Sequence, residues 1–329
     1  MSIKSMATIT DVSRLANVSK ATVSRVLSGT RGVREDSRQA VLRAADELQY
    51  KPNAAAQALA GKASEYVGVI LSSADAGRIS SYLPLIAKGL QKYSKHMLVH
   101  FAETREEQKA LVNELGNGHC SAIILIGGKD ADLQSDKLIH LDGVALDSPY
   151  SIGFNYSFAA ESACRFLMSK GHRNIALIID SNKDASSLKT VEGYKLALQN
   201  QALPFNRQLV VETNSNPEEA VMALLNSYTQ FSAVVVMHDS HAAHAMRLFR
   251  EFNLAVPQEV SIISIEDSEL AGQLNPPLTC ISFPSEQLVD ESMRMLGELL
   301  NNRPTQVQEQ EQRALSGRLI SRESVSTHR

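Results

Sequence analysis

Lys20, Ala21, Thr22, Ser24 and Arg25 are the first residues whose types and spacing point to a chemistry. They follow Ser19, a residue suited to capping a helix, and they interleave with Val23, Val26 and Leu27, apolar positions three and four apart. Such a helix buries one face and presents an ammonium, a guanidinium and hydroxyls on the other. An arginine fork matches the O6/N7 edge of guanine, while lysine reaches guanine or phosphate. An earlier helix is expected from near Ile9, because Thr8 and Asp11 have capping-box spacing and Val12, Leu15 and Ala16 share a face. The break at Asn17-Val18 is short, and Asn tolerates a left-handed turn. Helix, tight turn, helix is the geometry that sets a second helix into the major groove. A helical hairpin that merely packs a domain has the same pattern.

A second group is His238, His241 and His244, spaced every three residues where an apolar run meets a helical stretch. Helical histidines can ligate zinc, but usually at i, i+4 and with a further ligand. With His238 expected to end a strand, the three need not share a face, and no metal is expected. Cys120, Cys164 and Cys280 form no CxxC pair and read as buried small hydrophobes in a reducing compartment. There is no GxSxG, no Walker P-loop and no GxGxxG after a strand, and Gly127-Gly128 alone is a weak phosphate signal. An enzyme is therefore not expected, nor a bound cofactor. The charge runs Arg105-Glu106-Glu107 and Glu309 to Arg313 read as solvated surface.

The elements that must position these residues follow from composition and periodicity. The 329 residues hold 33 Lys+Arg against 36 Asp+Glu, a net charge of -3. Residues 1–62 hold 10 Lys+Arg against 5 Asp+Glu, or +5, which leaves 23 against 31, or -8, for the rest. A basic head on an acidic body suggests that the head alone meets a polyanion. A third head helix is expected from about Arg34 to Leu48, with Glu35 and Asp36 in its first turn and Ala40, Val41, Ala44, Ala45 and Leu48 as its stripe. Asn53 to Gly61 reads as a two-turn helix with Leu59 as its one large apolar side chain, or as a plain linker. So short a helix needs a partner surface to stay folded, and a leucine wedge can unstack a minor-groove step. From residue 66 onward, β-branched runs at Tyr66–Leu71, Met97–Phe101, Ala122–Ile126, Val144–Leu146, Ile175–Ile179, Leu209–Val211, Ala233–Met237 and Val260–Ile265 alternate with helical stretches. That is the α/β signature of parallel sheets, here in two lobes, with ligands at strand carboxyl ends. The sequence has no run of apolar residues long enough to span a membrane and no apolar leader near Met1. A cytoplasmic protein is expected.

The run from Asp11 through Ala16-Asn17-Val18-Ser19-Lys20-Ala21-Thr22-Val23-Ser24-Arg25-Val26-Leu27 resembles the headpiece of the lactose/galactose repressor (LacI/GalR) family. Tyr50-Lys51-Pro52-Asn53, Ala56 and Leu59-Ala60 resemble its hinge helix. Gly171-His172-Arg173-Asn174-Ile175, Glu192-Gly193-Tyr194, Val256-Pro257 and Asn275-Pro276-Pro277 follow in family order. The resemblance implies three parts. Residues 1–52 form a helix-turn-helix headpiece and 53–62 a hinge. Residues 63–329 form a periplasmic-binding-protein-like core for effector binding and dimerisation. In it an N-lobe takes about 63–156 plus part of 284–322, and a C-lobe about 157–283. DNA contacts are implied for Thr8, Ser19, Lys20, Ala21, Thr22, Ser24, Arg25, Tyr50, Asn53, Ala56 and Leu59, with Lys20 and Ala21 reading bases and Leu59 wedging into the central step. Arg34 and Gly32 depart from the serine cap and polar contact that members often carry. The implied partners are a pseudo-palindromic DNA duplex and a second copy of the chain, with a tetramer open.

Sugar-responsive members hold hydroxyls with an Asp, an Arg, an Asn and another Asp. Counted from the matched motifs, those places fall to Asn155, Thr190, His238 and Glu266, all different, with Lys189 beside Thr190 as a substitute charge. Ser72, Ser81, Tyr82 and Lys129 occupy strand-end or helix-start positions suited to the N-lobe wall, although core packing is an equal reading of Tyr82. The expected function is a transcriptional regulator, a repressor of carbohydrate utilisation controlled by a small molecule between the lobes. A regulator answering to a nucleoside, a sugar phosphate or no effector is the alternative.

Overall fold

The computed structural model describes residues 8–27, 33–48, 50, 64–72, 76–128, 133, 135–142, 148–181, 184–214, 216–301 and 314–328, with 76–80 as backbone alone. The hinge segment with Asn53, Ala56 and Leu59, the Gly29–Gly32 loop, Lys129 and the strand expected over Val144–Leu146 lie outside these residues. The chain divides into two compact units, Met1–Ser64 and Glu65–Arg329.

In the first unit, helices Ile9–Leu15, Lys20–Leu27 and Glu35–Glu47 enclose a small core of Val12, Val23, Val26, Val41, Ala44 and Ala45. The first helix starts where its sequence says it should. The Thr8 backbone N–H and hydroxyl both donate to the Asp11 carboxylate, at 2.9 and 2.6 Å. Those bonds hold the Asp11 pKa below its ordinary value. Asn17 takes the left-handed conformation, φ 50°, and turns the chain. Ser19 Oγ then accepts from the Thr22 N–H at 3.1 Å, satisfying one of the helix's open donors.

The second unit contains twelve strands among the described residues. They are β1 Tyr66–Leu71, β2 His96–Phe101, β3 Ala122–Ile126, β4 Leu138–Leu141, β5 Ser151–Phe154, β6 Ile175–Ile179, β7 Val210–Glu212, β8 Ala233–Val236, β9 Ser261–Ser264, β10 Thr279–Ser282, β11 Ala314–Leu315 and β12 Arg318–Ile320. They form two six-stranded sheets, ordered β11-β5-β4-β3-β1-β2 and β12-β10-β9-β8-β6-β7. Every pairing is parallel except β10 with β12. Parallel strands are covered on both faces and so read as unbroken apolar runs. In β6, Ile175, Leu177 and Ile179 pack into one core, while Ala176 and Ile178 pack into another on the opposite face. Each such fully buried Leu or Ile contributes roughly 1.5–3 kcal/mol.

Strands β4, β5, β10, β11 and β12 were not anticipated by apolar runs. His140 interrupts β4, yet it is 1% exposed, with its Nε2 3.0 Å from the Leu133 carbonyl oxygen. Gly153 and Ser151 dilute β5, and β11 and β12 span two and three residues. The chain crosses between the sheets three times: from β5 into helix Tyr156–Ser169, from β10 into helix Ser285–Leu300, and from β11 to β12. Phe154 and Phe283 stack at two of these crossings, centroids 4.2 Å apart, and the Asn155 N–H donates to the Leu315 carbonyl at 2.9 Å beside the third. In the second lobe, helices Tyr156–Ser169 and Ala185–Asn200 pack so closely that a Cβ on Gly193 would stand 1.9 Å from the Ser157 carbonyl oxygen. Only glycine fits there. Among the described residues no helix is long and apolar enough to cross a membrane.

Candidate functional site

Two places gather polar side chains without using them to hold the core. The first is the second helix of the small unit. Val23 and Val26 point inward; Lys20, Ala21 and Arg25 are exposed, and Thr22 and Ser24 half-exposed. Five residues expected to meet DNA thus share one outward face. Thr8 stands apart, bound to Asp11 at the start of the preceding helix. Ser19 is exposed but serves as a cap. Tyr50 is half-buried against the small core, its N–H donating to the Ala45 carbonyl at 2.8 Å.

The second place lies between the two sheets, at the carboxyl ends of their strands. In each sheet the strand order reverses between the first strand's two neighbours, which opens a crevice at the ends of β1 and β3 and of β6 and β8. On the first lobe, Ser72 follows β1 and is 6% exposed; a Cβ on Gly127 would stand 2.5 Å from its Oγ. Asp142 follows β4 and accepts the Tyr156 hydroxyl at 2.9 Å and the Tyr82 hydroxyl at 3.4 Å. Tyr82 is 3% exposed and belongs to the core, and it lines the crevice beside Ser81.

On the second lobe, Asp180 follows β6, His238 follows β8 by two residues, and Glu266 follows β9 by two. His238 Nε2 is 2.9 Å from Asp180 Oδ2, and its Nδ1 is 3.5 Å from Glu266 Oε2. His241, one turn along helix Asp239–Glu251, places Nε2 3.5 Å from the other Asp180 oxygen. Burial and the neighbouring His238 push the His241 pKa down to about 4, so its ring is neutral at pH 7. Glu266 also accepts the Asp239 N–H at 3.0 Å, and Asp239 accepts the Ser268 N–H and hydroxyl at 2.6 and 2.7 Å. Desolvation, with Glu266 nearby, raises the Asp239 pKa. Next to them Asp267 holds the Arg322 guanidinium at 2.7 Å. Asp180 and Glu266 keep 32% and 18% of their side chains exposed, enough to accept from a ligand.

Of the four positions counted as hydroxyl-binding, the fold brings together His238 and Glu266. Asn155 caps helix Tyr156–Ser169, its Oδ1 accepting the Phe158 N–H at 2.9 Å. Thr190 is fully buried and donates to the Ser186 carbonyl at 2.8 Å. Lys189, 58% exposed, pairs with Glu192 at 2.8 Å. His244 leaves the histidine group for Glu218, 3.3 Å away, and among the described residues no three His, Cys, Asp or Glu side chains are placed to hold a metal. Asp180, Asp142 and Asp267 were not singled out from the sequence. The one signal for Asp180 is a carboxylate closing the run Ile175-Ala176-Leu177-Ile178-Ile179.

Two family models match the chain: residues 8–53 match the bacterial regulatory proteins of the lacI family, and residues 164–325 match the periplasmic binding protein-like domain. The HTH-type transcriptional regulator GalR of Salmonella typhimurium is 30% identical over 340 aligned positions, covering 98% of this chain and 97% of that protein. The ribose operon repressor of Haemophilus influenzae is 29% identical, over 90% and 93%. The crystal structure of the lac repressor dimer bound to operator and the anti-inducer ONPF shares the fold, with a TM-score of 0.77 at 24% identity over 98% of this chain and 100% of that one.

Proposed function

Because the chain belongs to the lacI family of bacterial regulatory proteins, we infer that it is a DNA-binding transcriptional repressor whose grip on its operator is set by a small molecule held between the two lobes. The observation that carries the reading is the exposed face of Lys20, Ala21, Thr22, Ser24 and Arg25 on a helix seated by a tight turn. Lys20 and Ala21 read base edges, with Thr22, Ser24 and Arg25 beside them. Two copies bind a pseudo-palindrome, since paired recognition helices fit half-sites about one helical turn apart. The edge strand β2 leaves Val99 and Phe101 38% and 58% exposed, an apolar surface suited to a second copy. Leu59, on the hinge, wedges into the central step.

The effector is a neutral, donor-rich molecule, a sugar or a nucleoside, and the regulated genes serve its use. Acceptors dominate the second lobe's wall: Asp180 and Glu266 are partly exposed carboxylates, and Arg322 is engaged by Asp267. Ligand hydroxyls satisfy such groups, whereas a phosphate meets repulsion. The protein acts in the cytoplasm, where its DNA is.

Selection of duplexes from a randomised pool tests the DNA half. The expected result is a pseudo-palindromic site whose affinity falls steeply with salt, because each phosphate contact releases counterions. Lys20→Ala should change the preferred bases, and recovery of no common site refutes the reading. Thermal unfolding against sugars, nucleosides and sugar phosphates tests the effector half. A ligand at about 100 times its Kd stabilises by roughly 2.7 kcal/mol, and Asp180→Asn should abolish the shift. Stabilisation by sugar phosphates alone overturns the assignment.

A further inference from the structure

We propose that the outer face of the second lobe carries a separate site for a phosphate borne on an aromatic body, a mononucleotide being the chemistry that fits. Helix Tyr156–Ser169 buries Tyr156, Ala159, Ala160, Ala163, Cys164 and Leu167. Its other face presents Phe158, Ser162, Arg165, Phe166 and Ser169, spaced to lie on one side. These five line a concavity of about 570 Å³, completed by Arg173, Gln201 and Leu319 among others. That volume is within the range of small-molecule pockets, roughly 300–1,000 Å³. None of its lining residues belongs to the crevice between the lobes.

The chemistry is the reverse of the crevice's. No carboxylate lines this concavity, although the body of the chain is acidic. Arg165 faces Glu161 at 3.9 Å, and that carboxylate also takes the Asn200 amide at 3.4 Å. Arg173 has no ion pair or hydrogen bond among the described residues. Lys170 does not line the concavity, but its Nζ lies 5.6 Å from the centroid of the Phe166 ring that does. A guanidinium binds phosphate oxygens in a two-pronged geometry that a sugar hydroxyl cannot match. Phe158 and Leu319, 40% and 39% exposed, leave an apolar wall on which a base can stack. Ser169 donates its proton to the Phe166 carbonyl, which leaves its oxygen to accept from a base N–H.

Isothermal titration of the full chain with AMP, adenosine and inorganic phosphate tests the proposal. AMP should bind at least tenfold more tightly than either fragment. Arg173→Ala and Arg165→Ala, both at exposed positions, should each weaken AMP about tenfold, the scale of one charge-assisted contact. Asp180→Asn should leave AMP binding as it is in the parent chain. The site is refuted if AMP does not bind, or if neither arginine matters. Loss of AMP binding in Asp180→Asn with retention in Arg173→Ala also refutes it, by placing AMP between the lobes. Phosphate binding as tightly as AMP overturns the aromatic half. Run in Asp180→Asn, the comparison of AMP with adenosine excludes a nucleoside held between the lobes, so failure of the outer site is distinguishable from failure of the effector assignment.

Discussion

Lowering the pH from 7 to 4.5 is expected to destabilise the second unit through His241. The ring is 7% exposed, on helix Asp239–Glu251, with Asp180 from the end of β6 at 3.5 Å and the His238 ring centroid 5.0 Å away. Glu266, at the end of β9, and His244, one turn along, also face it electrostatically. Desolvation first and His238 second push the folded pKa to about 4; Asp180 and Glu266 oppose them. The unfolded chain titrates near 6.5. Between those values the unfolded state binds the extra proton, so stability falls as the pH falls. The full effect is present above about pH 6.5, and roughly 2.5 kcal/mol of it is gone by pH 4.5. Asp239 works the other way, because its raised pKa favours the folded state as acid is added. His241→Gln isolates the ring: it keeps a polar contact for Asp180 and cannot ionise. Urea unfolding at pH 7 and at pH 4.5 should show the parent chain losing roughly 2 kcal/mol more than the variant. Equal losses in the two proteins would show that His241 titrates as a solvated ring, and the argument from its burial would fail.

Three further perturbations separate packing from recognition. Gly193→Ala puts a methyl carbon against the Ser157 backbone, which cannot rotate aside, so helices Tyr156–Ser169 and Ala185–Asn200 must part; a loss of roughly 1–3 kcal/mol in urea unfolding is expected, and an unchanged midpoint would refute the contact. Asp142→Ala removes an acceptor from the hydroxyls of Tyr82 and Tyr156, and a loss of roughly 1–3 kcal/mol is expected from the buried hydrogen bonds broken; in a Tyr82→Phe, Tyr156→Phe background the same substitution should cost less, and an unchanged cost would assign the loss elsewhere. Leu59→Ala should weaken binding to the selected site far more than to scrambled duplex, and equal weakening on both would remove the wedge.

Much of this fold is legible because its periodicities are strong. The apolar positions of the first two helices, with Ser19 and Asn17 between them, specify the tight turn, and the runs that became β1, β3, β6 and β8 announce buried parallel strands. β4 escaped because a buried histidine interrupts it, and a lone polar residue in a four-residue run is indistinguishable from a surface position until its partner, here the Leu133 carbonyl, is known. The site was legible by position and not by bonding. Counting placed His238 and Glu266 where the crevice is. It could not reveal that Thr190 turns its hydroxyl back onto the preceding helical turn, as threonines in helices do, or that Asn155 is consumed as a cap. Asp180 was missed because a carboxylate after a strand looks the same as one about to cap a helix.

The two lobes repeat one strand order, so each strand of the first has a counterpart in the second: β1 with β6, β3 with β8, β4 with β9. The counterparts of Ser72, Gly127 and Asp142 at the strand ends are then Asp180, Met237-His238 and Ile265-Glu266. The third strand thus leads to a carboxylate in both lobes, yet the two are spent differently. Asp142 is 6% exposed and closed off by two tyrosine hydroxyls, so it stiffens its own lobe. Glu266 holds the first N–H of helix Asp239–Glu251 and keeps part of its surface open, while Asp180 holds two histidines and stays open as well. Acceptor capacity is therefore concentrated on the second lobe, and the first offers a packed wall edged by Ser81 and Tyr82. On the function proposed above, a ligand held by Asp180 and Glu266 would meet that packed wall only if the lobes approach. The three chain crossings, pinned by the Phe154–Phe283 stack and the Asn155–Leu315 bond, are the places where that approach must be accommodated. Substituting Phe283 should therefore alter how ligand binding is transmitted more than how tightly the second lobe first holds it.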